Sequence, residues 1–108
     1  MEKQTAGRDH LGKLAPKFAE LNDDVLFGQV WSREDKLSAR DRSMITIAAL
    51  FSAGLYPQLK AHLEIGKRHS ISKEEAVELV TQLAFYCGWP KAWSTFPMIE
   101  EVWGSEEA

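Results

Sequence analysis

A histidine on an apolar helical stripe is the most chemically suggestive feature of this 108-residue chain. Leu59, His62, Leu63 and Gly66 recur at steps of three and four, so the imidazole of His62 shares a face with aliphatic neighbours. Burial there would lower its pKa and a carboxylate neighbour would raise it; the residue is either a core histidine bonded to a carbonyl or a proton donor and acceptor. Glu78 has two similar readings, as an exposed helix carboxylate or as an acid-base partner for His62. Arg42 falls in the first turn of a helix, where the macrodipole disfavours a cation without an anion beside it. Its partner is a surface acid such as Glu34 or Asp35, or a substrate carboxylate held by the planar fork in two hydrogen bonds.

The other candidates gather at Tyr86-Cys87-Gly88-Trp89-Pro90. Gly88 can close one helix and Pro90 can open the next, which sets a thiol and two aromatics at a sharp corner. Cys87 stands at a helix C-terminus, whose partial negative charge opposes a thiolate, and the chain has no second cysteine to resolve an oxidised form. It reads as a packing residue first. Trp31, Trp89 and Trp93 serve either core and interface packing or the walls of a ligand pocket. His69 suits a helix C-terminus. No third ligand accompanies His62 and His69 at a recognised spacing, so no metal site is expected. No phosphate loop or nucleophile elbow is present.

The elements that must hold these groups are helical throughout. Pro16 begins a segment expected to turn Phe18, Leu21, Val25 and Phe27 inward, with Asn22-Asp23-Asp24 able to interrupt it. Ser38 caps a run through Ala53 to Gly54 that is apolar nearly all round, the pattern of a central buried helix. Pro57 starts the His62 helix. Ser72 and Glu75 form a capping box for a helix presenting Val77, Val80, Leu83, Ala84 and Cys87 on one face, with Glu78, Gln82 and Tyr86 in the adjacent row. A last helix runs from about Pro90 to Trp103. No strand-period segment competes, so the fold class is all-α. Residues 1–10 read as a flexible N-terminus, 11–104 as a single domain and 105–108 as an acidic tail.

Composition narrows the partners. A net charge of −3 without a basic stripe argues against nucleic acid. The absence of a signal core or a membrane-length apolar run predicts a cytoplasmic, soluble protein with no membrane partner. Four tryptophans and five phenylalanines strain what so short a chain can bury, which points to a homo-oligomer.

The span from Val30-Trp31-Ser32-Arg33 through Leu37-Ser38-Ala39-Arg40-Asp41-Arg42-Ser43, Leu59-Lys60-Ala61-His62-Leu63, Ile71-Ser72-Lys73-Glu74-Glu75 and Glu78 to Phe85-Tyr86-Cys87-Gly88-Trp89-Pro90-Lys91-Ala92 resembles the carboxymuconolactone decarboxylase family. The resemblance implies an alkylhydroperoxidase D-like helical bundle, assembled as trimers or hexamers with sites near subunit contacts. The peroxidase branch of that fold uses a CxxC pair before its histidine, and here those positions are Leu55 and Gln58. A carboxy-lyase is therefore favoured over a peroxidase. Relatives in the decarboxylase branch often carry a second histidine where this chain has Gln82. The implied reaction is cofactor-free decarboxylation of a γ-carboxymuconolactone-like lactone in aromatic catabolism. Arg42 would bind the retained carboxylate, His62 would stabilise or protonate the dienolate, and Trp31, Tyr86 and Trp89 would exclude water from the small-molecule substrate. Two alternatives stand beside it: antioxidant peroxidase activity using Cys87 with an external thiol, and a non-catalytic oligomeric binding module.

Overall fold

The computed structural model describes residues 3–104, and every regular element in them is a helix. The tail expected at 105–108 lies outside the described residues. The chain divides into two compact units, Met1–Ala39 and Arg40–Ala108.

The first unit contains α1 (Ala6–Leu11), α2 (Pro16–Glu20) and a π-helix, Leu21–Trp31, that continues α2. Residues 6–11 are thus helical although no apolar period announces it. Their order comes from Asp23, whose carboxylate accepts the backbone N–H groups of Gly7 and Arg8, both at 2.9 Å, and so satisfies the start of α1. Arg8 in turn grips Asp24 through both Nη atoms, at 2.8 and 2.7 Å. Asn22-Asp23-Asp24 therefore anchors this unit and does not interrupt the helix.

The inward residues expected from α-helical spacing need correction. Ala19, Asp23, Phe27 and Trp31 are the buried set, at even steps of four, while Phe18 (59% exposed), Leu21 and Val25 face outward. The wider i→i−5 turn of the π-helix shifts the buried stripe away from the three-and-four alternation.

The second unit contains α3 (Ala39–Ala53), α4 (Tyr56–Arg68), α5 (Lys73–Cys87) and α6 (Trp89–Trp103). Helix α6 packs against both α4 and α5. The core joins Ile47 and Phe51 of α3, Leu59 and Leu63 of α4, Val80 and Ala84 of α5, and Ile99 and Trp103 of α6, with Ile71 between helices. Gly66 lets α3 approach α4: a Cβ there would stand 3.0 Å from both Ile47 Cδ1 and Ile71 Cδ1. Ser43 Oγ, fully buried, lies 2.8 Å from His69 Nδ1 and fastens the end of α4 to α3.

Helix α3 is the core element, but it is not enclosed all round. Only Ser43, Ile47 and Phe51 are fully buried, and Ile45 is 57% exposed. Its apolar far side is surface in the single chain.

The expected terminators are present. Gly54 has φ +69°, and the capping box closes with Glu75 N–H to Ser72 Oγ and Ser72 N–H to Glu75 Oε1, both 3.0 Å. Arg40 adds an ion pair to Glu75, joining the start of α3 to the start of α5. The Ser72 backbone donor, together with Arg40, holds the Glu75 carboxyl below the ordinary carboxylate range.

Candidate functional site

His62 sits half-buried on α4, between the buried Leu59, Leu63 and Gly66. Its Nδ1 atom is screened from water, and desolvation pushes the imidazole pKa below its ordinary value. The ring is accordingly neutral near pH 7, with one nitrogen a donor and the other an acceptor.

Arg42 is half-buried in the first turn of α3, beside Ser43. The contact of α3 with α4 at Gly66 and the Ser43–His69 bond tie the end of α4 to the turn of α3 beside Arg42, while His62 lies seven residues, about 10 Å, back along α4 from His69. Glu78 is placed differently. It is exposed on α5 in one row with the exposed Gln82 and Tyr86, so the buried acid-base reading does not describe it within the single chain.

At the corner, Gly88 has φ +114° and ψ +137°, which ends α5 and starts α6 without entering the left-handed helical well. A residue with a Cβ would be strained there. Lys91 Nζ donates to the Cys87 carbonyl at 3.0 Å, neutralising the end of α5. Cys87 itself is half-buried against the core, the position of a packing residue. Tyr86 is 79% exposed, and Trp89 meets Phe85 edge to face with centroids 5.6 Å apart. Trp31, in the first unit, is buried and stacks on Phe27 at 5.5 Å.

One concavity among the described residues was not singled out from the sequence. It is a groove of about 780 Å³ along α5 and α6, walled chiefly by Trp89, Trp93, Phe96 and Pro97, with Glu100 and Glu101 at one end. Pro97 has no N–H to offer the Trp93 carbonyl, so the wall lacks one bond of the helix ladder. Of the sequence candidates Trp89 and Trp93 line it; Arg42, His62 and Glu78 do not. The steps 89, 93, 96–97 and 100–101 form a helical stripe that would have revealed it. Among the described residues, no group of three or more His, Cys, Asp or Glu is arranged to hold a metal ion, and no helix is long and apolar enough to cross a membrane.

The chain is 29% identical over 106 residues to 4-carboxymuconolactone decarboxylase of Acinetobacter baylyi (strain ATCC 33305 / BD413 / ADP1), an alignment covering 92% of this chain and 78% of that protein. The model of the carboxymuconolactone decarboxylase family matches residues 16–101, which include α2 through most of α6 and all of Arg42, His62, Glu78 and the corner. The chain belongs to the carboxymuconolactone decarboxylase family.

Proposed function

We propose that this protein decarboxylates a 4-carboxymuconolactone-like lactone without a cofactor, using His62 and Arg42. The observation that carries the reading is the half-buried imidazole of His62, which desolvation holds toward its neutral form, in a chain of this family. In such a lactone the departing carboxylate is conjugated through a double bond to the ring carbonyl, so the carbonyl accepts the electron pair as carbon dioxide leaves. What remains for the protein is to fix the substrate, stabilise a dienolate oxygen and see a proton delivered to carbon.

Arg42 binds the carboxylate that is retained, where its fork gives two parallel bonds. His62 donates its N–H to the dienolate oxygen. A neutral donor suits that task, because an imidazolium would stabilise the departing carboxylate in the ground state and oppose its loss. Exposed Tyr86 and Trp89 form walls that shed water when a second subunit covers them. Glu78 enters this reading as a surface carboxylate supplied to a site at a subunit contact. Self-association is part of the proposal, supported by the outward Ile45, Phe85, Trp89 and Trp93.

The experiment is a spectrophotometric assay of purified protein with 4-carboxymuconolactone. Loss of lactone absorbance with release of carbon dioxide is the expected result; an unchanged substrate at high protein concentration rejects this substrate.

A further inference from the structure

We infer that the α5–α6 groove is the seat for the α2–π helix of a second copy of this chain, laid in antiparallel to α6. The inference rests on the self-association proposed above and specifies which surfaces make it. The groove is concave and apolar, with Trp89, Trp93 and Phe96 leading to the acidic end at Glu100 and Glu101. A concave wall is filled by a ridge and not by a copy of itself. The ridge is present elsewhere on the chain: Phe18, Leu21 and Val25 stand outward along the helix of residues 16–31, with exposed Leu14 in the turn before it.

Length and charge set the direction. Phe18 to Val25 runs from α2 into the π-helix and Trp89 to Phe96 covers two α-helical turns, each a span of about 10 Å. Lys13 and Lys17 flank the start of the ridge, and Glu100 and Glu101 close the far end of the groove. Antiparallel seating brings lysines to carboxylates, sets Phe18 beside Phe96 and Pro97, and leaves Val25 near Trp89. It also opposes the two helix dipoles favourably. Lys17 and Glu101 already have partners, Glu20 and Lys60, both at 2.6 Å, but those pairs are exposed and exchange readily. Ridge and groove are different surfaces, so the contact is heterologous, and it builds a ring where its rotation closes.

The test joins two single-cysteine variants, each in a Cys87→Ser background: Lys17→Cys in one and Glu101→Cys in the other. Both positions are exposed, so folding is little disturbed. After the variants are mixed and equilibrated, a short bismaleimide should link them into a heterodimer, with at least tenfold less product from either variant alone. Light scattering should show Phe18→Glu reducing the assembled mass while helicity by circular dichroism is unchanged. The charge reversal Lys17→Glu should weaken assembly and Glu101→Lys should restore it. A monomeric wild type would overturn both the self-association reading and this contact. An oligomer whose two mixed variants give no cross-link would overturn this contact alone.

Discussion

Ser43 Oγ and His69 Nδ1 meet at 2.8 Å, a side-chain bond that ties the helix bearing Arg42 to the end of the helix bearing His62. The serine is fully buried and the histidine half so, which makes loss of the two partners unequal. His69→Ala strands a buried hydroxyl and should cost about 1–3 kcal/mol, whereas Ser43→Ala removes the buried polar group itself and should cost about 1 kcal/mol. Urea denaturation of the two variants checks the order.

Gly66 is the contact point of the same two helices. A valine there would press its methyls into Ile47 and Ile71, which are both buried and have little room to yield. Overpacking of this kind should cost about 1–3 kcal/mol. A Gly66→Val protein with unchanged thermal midpoint would show the helices to be farther apart than described.

Acid should loosen both units. Asp23 is nearly excluded from water, which by itself would raise its pKa, but donors on Asn22, Arg8 and Gly7 outweigh that and hold it below the usual value. Glu75 is likewise lowered. A carboxyl with a depressed folded pKa contributes stability above its unfolded pKa and loses it as pH falls through the folded one. The contribution of these two carboxylates should therefore be flat through neutral pH and decline below about pH 4. Asp23→Asn and Glu75→Gln should each be less stable at pH 7 and show a shallower acid decline, measured by thermal melts across pH.

His62 gives a second, separate pH signature. Its folded pKa is depressed, so the unfolded chain takes up a proton before the folded one does, and this residue subtracts stability as pH falls below about 6.5. The catalytic proposal adds that kcat is constant around pH 7–8 and falls once His62 protonates, with a midpoint below 6.5. Substituting Glu78, exposed on α5, with glutamine should lower kcat by less than about tenfold, against about a hundredfold or more for loss of His62. A pH-rate series on these variants separates the two residues.

Much of the fold was legible because its signals are local. Ser72 with Glu75, Gly54, Pro57 and the stripe through Leu59, Leu63 and Gly66 each specify structure within a few residues, and the helices lie where they indicate. The first unit was misread because its order comes from Asp23, sixteen residues from Gly7. Its π-helical turn also invalidates a count made at 3.6 residues per turn, which is why Phe18 and Val25 point outward. At the site, the phase of His62 followed from its neighbours, while Glu78 could be placed in a row but not given a burial. The groove escaped notice because tryptophans at helical spacing signal a core as readily as a cleft, and only the packing of α5 on α6 distinguishes them.

The central claim is that His62 stabilises the charge left when carbon dioxide departs, and it is tested most directly by the rate of 4-carboxymuconolactone decarboxylation in His62→Ala beside the wild type. The account predicts that kcat falls by about a hundredfold or more, with KM little changed, since Arg42 still holds the retained carboxylate. A His62→Ala protein that turns over at the wild-type rate would contradict it.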